Sequence, residues 1–197
     1  MANTETTINA VIHPQLNETL IDIEKTIKAL ERNKFVVHYF ETGTEAVAYL
    51  KNRIQNKCVA IGDSRTLLEI GIHDTLSEVN EDITDIQRPL PGESFRDTAL
   101  RTMGRDVFLT SVNALSQTGE MVNIDGTGNR VAASLFGSQE VFFVLGINKI
   151  TPDLASAIHR ARNVAAPLNS KKNKKSSLNP CATLDEKCYD CGSPDRI

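Results

Sequence analysis

The sequence predicts an α/β protein built around a mostly parallel sheet. Short runs that are β-branched, aromatic or otherwise apolar recur along the chain, FVVHYF (35–40), CVAIGD (58–63), DVFLTS (106–111) and VFFVLGI (141–147), and read as buried strands. The stretches between several of them carry apolar residues at helical spacing, so strand and helix alternate, as a parallel sheet requires. Hydroxyl, amide and glycine residues collect just after the strands, where strand tips meet helix starts.

Taken in order, Leu16, Leu20, Ile23, Ile27 and Leu30 place one apolar face on a helix from Pro14 to Asn33. After FVVHYF, Thr42-Gly43-Thr44 offers a turn and an N-cap for a helix carrying Val47, Leu50 and Ile54. CVAIGD leads to Ser64, a second N-cap, before Leu67, Leu68 and Ile70; within 78–90, ITDI reads as a short strand ahead of Pro89 and Pro91. A short helix from Ser94 to Met103 precedes DVFLTS. Ser116-Gln117-Thr118-Gly119 then predicts an antiparallel hairpin inside the otherwise parallel sheet. Asp125-Gly126-Thr127-Gly128 opens a helix through Val131, Ala132 and Leu135, with Gly137 as its left-handed end. VFFVLGI, the most apolar run, is expected at the centre of the sheet. Thr151 as N-cap and Pro152 at the first helical position start a helix with Leu154, Ile158, Ala161 and Ala165 inside. SKKNKKSS then has nothing apolar to bury. The expected plan is a flexible N-terminus (1–13), one domain (14–169), and a basic linker with a cysteine-bearing tail (170–197).

With 197 residues, 40% apolar and 24% charged, the chain has the composition of a soluble globular domain. A net charge of −3 lacks the basic footprint that phosphate-backbone binding needs, so nucleic acid is not an expected partner. No run approaches the roughly 20 apolar residues of a membrane span, and the first dozen residues do not resemble a secretory leader. A cytoplasmic protein without membrane contact is expected.

Four segments should meet at the carboxyl edge of the sheet: 62–66, 110–113, 123–130 and 146–149. NIDGTGNR (123–130) is the densest, with two glycines, two asparagines, one carboxylate and Arg130, whose fork suits an anion. The same run also reads as a tight turn in which Asp125 and Asn129 bond their own backbone. GDSRT is an ordinary strand-to-helix turn whose Asp63 would repel an anion. Glu69 and Glu120 are the carboxylates suited to act as acid, base or nucleophile, and Lys149 follows the most apolar strand. His13, His38, His73 and His159 are scattered, without a metal-binding pair or a hydrolase elbow. Cys181, Cys188 and Cys191 contain one C-x-x-C pair, which suits zinc or an iron–sulfur cluster or else forms a free, oxidation-prone tail.

The runs GDSRTLLEIGI, DVFLTSVNALSQTGEMVNIDGTGNRVAASLFG, VLGINKI and RNVAAPLN, in this order, closely resemble the LUD domain of lactate-utilisation proteins over about Pro14 to Asn169. The resemblance implies a three-layer α/β/α fold like that of sugar-phosphate isomerases and CoA transferases (NagB/RpiA/CoA-transferase-like). It also implies a place in a system that oxidises L-lactate to pyruvate beside a cysteine-rich subunit and an iron–sulfur subunit. The family's motif positions fall on Ser64, Thr66 and Glu69, on Ser111, Asn113, Glu120, Asn123, Asp125, Gly126, Gly128, Asn129 and Arg130, and on Asn148 and Lys149. Similar proteins often carry a small residue where Asp63 stands, and their tails continue to a fourth cysteine after the position of Ile197. Three readings follow: an accessory subunit binding a small organic acid or phosphate; a stand-alone isomerase or CoA/acyl transferase using Glu69 or Glu120; and a metal-carrying interaction module. A homodimer is among the assemblies left open. No dinucleotide or Walker loop is present.

Overall fold

The computed structural model describes the backbone of residues 6–10 together with residues 21–172, 179–184 and 187–192. Among these, nine strands follow one another in the chain: β1 (Thr6–Ala10), β2 (Val36–Tyr39), β3 (Cys58–Ile61), β4 (Asp82–Asp85), β5 (Val107–Thr110), β6 (Ala114–Ser116), β7 (Met121–Val122), β8 (Glu140–Leu145) and β9 (Ile150–Thr151). The α-helices are α1 (Ile23–Arg32), α2 (Gly43–Arg53), α3 (Arg65–Glu69), α4 (Ile72–Ser77), α5 (Phe95–Arg101), α6 (Asn129–Leu135), α7 (Leu154–Arg160), α8 (Ala166–Lys172) and α9 (Pro180–Thr183). The chain divides into two compact units. Within the described residues the first takes 6–10, 30–111 and 128–148, and the second takes 21–29, 112–127 and 149 onwards.

In the first unit six strands form one sheet in the order β2-β1-β8-β5-β3-β4, and every neighbouring pair is parallel. Side chains alternate between its faces. Val59, Ile61, Val107, Leu109, Phe142 and Val144 point to one face, where they pack with Leu50 and Ile54 of and after α2, Leu67 of α3, and Ile72 and Leu76 of α4. Ala60 and Phe108 point to the other, against Ala133 of α6, with Met103 and Val141 beside them. Helices on both faces of a parallel sheet make the expected three-layer arrangement. β8 lies between β1 and β5, so the most apolar run does occupy the interior of the sheet.

Local chemistry fixes the helix starts. Thr42 accepts a hydrogen bond from the Glu45 N–H while the Glu45 side chain accepts from the Thr42 N–H, a complete capping box for α2. Ser64 caps α3 and Ser94 caps α5. ITDI does supply a strand, β4.

The structure corrects several expectations. The first helix begins at Ile23, because Asp22 caps it by accepting from the Lys25 N–H at 2.8 Å; residues 11–20 lie outside the described residues. On α6 the buried residue is Ala133, while Leu135 is 79% exposed, so the helix turns a different face inward than Val131, Ala132 and Leu135 suggested. Gly128 (φ 80°) stands at the N-terminus of α6 and Gly137 (φ 104°) follows its end, both left-handed, which glycine alone adopts without strain.

In the second unit a three-stranded sheet has the order β7-β6-β9. The predicted hairpin is there as antiparallel β6 and β7, but β6 pairs on its other side with β9 in parallel, so the hairpin is not part of the six-stranded sheet. Its partner strand was hidden in Ile150–Thr151, which reads from sequence as a helix start. Thr151 is consequently a strand residue, donating its hydroxyl to the Leu115 carbonyl at 3.3 Å. Asp153 caps α7 instead, accepting from the Ser156 N–H at 2.7 Å. Beyond α7 the chain passes through a π-helical turn, Ala161–Ala165, into α8. Residues 179–184 and 187–192 contact these helices: Asn179 donates to Ser170 Oγ at 3.1 Å, the Cys188 N–H donates to Asn163 Oδ1 at 3.3 Å, and Arg162 pairs with Asp190 at 3.0 Å. Residues 173–178 of the expected linker lie outside the described residues. Among the described residues no helix is long and apolar enough to cross a membrane.

Candidate functional site

At the carboxyl edge of the six-stranded sheet, β3, β4 and β5 release their chains side by side. Gly62 follows β3 and donates its N–H to the Leu109 carbonyl at 2.9 Å. A Cβ there would lie 3.0 Å from the Phe108 ring and 3.3 Å from Thr110 Oγ1, so the close approach of the two strand ends needs glycine. Asp63 comes next. Its carbonyl accepts from Arg130 Nη1 at 3.5 Å and its carboxylate accepts from Gln87 Nε2 at 3.0 Å. Ser64 and Ser111, the residues after Asp63 and after β5, are both buried.

β4 ends in Asp85, only 7% exposed. One carboxylate oxygen accepts from the Gln87 N–H at 2.8 Å, and the other lies 2.9 Å from His73 Nδ1. The Ile86 N–H bonds the Ile61 carbonyl at 3.1 Å and holds the two strand ends together. Next to His73 on α4, Asp74 is paired with Arg88 at 2.6 Å, and this bond holds its carboxyl below the usual range.

The second unit uses its polar residues to close a hairpin. The Ile124 N–H donates to Asn113 Oδ1 at 2.8 Å, and the Asn113 N–H donates to Asn123 Oδ1 at 3.3 Å. Arg160, at the end of α7 where the π turn begins, donates to the Asn113 carbonyl. Burial of its guanidinium pulls its pKa downward. Glu120 accepts from the hydroxyl of Ser116 and from that of Thr118 at 2.5 Å. The Ser116 bond and then the Thr118 bond hold its carboxyl below the usual range.

The residues singled out from sequence are thus shared between the units. Ser64, Thr66, Glu69, Ser111, Gly128, Asn129, Arg130 and Asn148 stand in the first, and Asn113, Glu120, Asn123, Asp125, Gly126, Lys149 and the three tail cysteines in the second. Ser64 spends its oxygen as a cap, accepting from the Leu67 N–H at 3.3 Å. Glu69 is exposed and paired with Arg65 at 2.7 Å. Asn148 lies exposed in a 3-10 turn, Ile147–Lys149. Cys181, Cys188 and Cys191 are half-buried thiols. The Asp190 N–H, on a left-handed residue (φ 48°), donates to Cys188 Sγ at 3.4 Å. Among the described residues no three His, Cys, Asp or Glu side chains are placed to hold one metal ion.

Sequence reasoning passed over His73, Asp85 and Arg160. His73 and Asp85 lie 12 residues apart, in a helix and in the following strand, and match no short motif. The readable signal was a carboxylate at the last position of a strand whose tip faces the ligand edge. His38, by contrast, belongs to the packing. Its Nε2 lies 2.9 Å from Tyr49 Oη, and burial first, then Arg53, lowers its pKa.

In open α/β sheets the carboxyl ends of the strands are where ligands bind, and here that edge carries Asp63, Ser64, Asp85, Gln87, Ser111 and the Arg130 guanidinium. The chain belongs to the LUD domain family, which matches residues 23–197. No curated protein and no solved structure matches it.

Proposed function

We propose that this chain serves L-lactate oxidation as a non-redox accessory subunit that binds a small organic anion while cysteine-rich and iron–sulfur partner subunits move the electrons. The observation that carries this reading is the placement of Arg130. Its guanidinium reaches the Asp63 carbonyl beyond the tip of β3 at 3.5 Å, at the edge where Ser64 and Ser111 also stand. A planar guanidinium matches both oxygens of a carboxylate, and hydroxyls and backbone amides complete such a site. Family membership supplies the link to lactate utilisation, and a fold of the sugar-phosphate isomerase and CoA-transferase kind accords with the parallel sheet.

The stand-alone isomerase or transferase reading would draw on Glu69 or Glu120. Glu69 is open to solvent and ion-paired, and Glu120 has a carboxylate oxygen engaged by two hydroxyls of its own hairpin that lower its pKa and so weaken it as a base, so neither is favoured in that role.

Calorimetric titration of the full chain with L-lactate, pyruvate and inorganic phosphate tests the proposal. One of these anions should bind, and Arg130→Met should weaken it about 10- to 100-fold, the worth of a charge-assisted pair, with the unfolding midpoint unchanged. Equal affinity in Arg130→Met would refute the assignment.

A further inference from the structure

We infer that His73 and Asp85 form a proton-transfer dyad at this edge of the sheet, with His73 Nε2 as general base toward a small 2-keto carboxylate. The inference rests on the anion-binding reading of Arg130 and adds an activity to it. Asp85 is almost fully buried yet keeps an imidazole as its partner, and that imidazole remains partly open to solvent. An ionised carboxylate only accepts hydrogen bonds, so the proton between the two residues sits on His73 Nδ1 and the lone pair is on Nε2. No hydrogen bond to Nε2 is made among the described residues. The Gln87 N–H, on the other carboxylate oxygen, fixes the orientation of Asp85 from behind. This is the base-and-orienter arrangement of acid–base catalysis.

The dyad is also tied to the proposed anion site. From Arg130 the hydrogen bonds run to the Asp63 carbonyl, from the Asp63 carboxylate to the Gln87 side chain, from the Gln87 N–H to Asp85, and from Asp85 to His73. All five residues belong to the first unit. In this proposal the ligand's carboxylate lies at Arg130 and its neighbouring carbons at the imidazole. Beside the ring, Asp74, the next residue on α4, is engaged by Arg88.

The step balances without an oxidant. Nε2 forms a bond to a proton of C3 of the 2-keto acid as the C3–H bond breaks. The C–H electron pair becomes the C2=C3 double bond, and the carbonyl π pair moves onto the C2 oxygen. The imidazolium is stabilised by Asp85, and reversal returns a proton from the solvent-exchanged ring.

Exchange of the methyl protons of pyruvate in D2O, followed by proton NMR with the full chain, provides the test, with saturation-transfer NMR reporting binding in the same samples. The protein should accelerate exchange at least 100-fold over buffer. His73→Gln should abolish the acceleration with pyruvate still bound and the thermal midpoint kept. Imidazole added to His73→Ala should restore part of it. Asp85→Asn, a positioning change, should slow exchange 10- to 100-fold at saturating pyruvate with KM unchanged. Bound pyruvate without accelerated exchange, or undiminished exchange in His73→Gln, would overturn the dyad and leave the anion-binding reading standing. Absence of pyruvate binding together with absence of exchange would overturn the dyad, while the lactate and phosphate titrations would still decide the binding reading.

Discussion

The two faces of the six-stranded sheet are held down by different physics. One face is covered with hydrocarbon: Leu50, Ile54, Leu67, Ile72 and Leu76 interlock with Phe142, Val144 and their neighbours. The other carries an apolar cluster of Ala60, Phe108 and Ala133 and, around β4, is fastened by charge. On that face Arg101 grips Glu93 at 2.6 Å and reaches the Thr84 hydroxyl at 3.4 Å, while Arg105 pairs with Asp82 and donates to the same hydroxyl at 3.0 Å. Thr84 itself is fully buried. Apolar packing is indifferent to salt and acid over ordinary ranges, whereas partly exposed ion pairs are weakened by both. The two regions should therefore respond to different perturbations, and Leu135 and Phe136, in and after α6, stand open to solvent.

The largest expected effect is on the hydrocarbon face. Phe142→Ala removes a fully buried ring and should cost about 3–5 kcal/mol in urea unfolding; a loss under about 1 kcal/mol would break the contrast. On the other face Gly62→Ala drives a methyl group into the Phe108 ring and should cost about 1–3 kcal/mol by overpacking, measured in the same way. Acid sharpens the comparison further. The Arg101 bond, and then the Leu90 N–H, lower the Glu93 pKa from 4.5 to about 2. A carboxylate whose folded pKa is depressed stabilises the fold above its unfolded value and loses that contribution as pH falls toward the folded one. Unfolding midpoints should drop between pH 4.5 and 2, and Glu93→Gln should flatten this limb; an unchanged limb would remove the clamp from the account. Smallest of all, Phe136→Ser alters a side chain that is 87% exposed and should change stability by no more than about 0.5 kcal/mol.

Much of the frame was readable because its signals are local. The apolar runs around Val59, Leu109 and Phe143 announce strands, and Thr42, Ser64 and Ser94 announce helix starts through bonds spanning only three residues. The reading failed where two local signals compete. Thr151-Pro152 has the form of a helix start, yet the Leu115 carbonyl, 36 residues away, draws Thr151 into a strand and passes the cap to Asp153. Sequence singles out Arg130, Asn113 and Asn123 alike as ligand-binding candidates, and it does not distinguish an amide that closes its own hairpin from a group left for a ligand.

What the sequence determined alone was the alternation of strand and helix, the parallel α/β/α class, the interior place of β8 and the resemblance to the LUD family, all of which rest on periodicity, capping and motif order. Tertiary structure alone decided which sheet the hairpin joined, which face of α6 turned inward, and that His73 would meet Asp85 and Arg130 would meet Asp63. Those contacts depend on strand register, and register is set by the packing of the whole sheet rather than by any neighbouring residues.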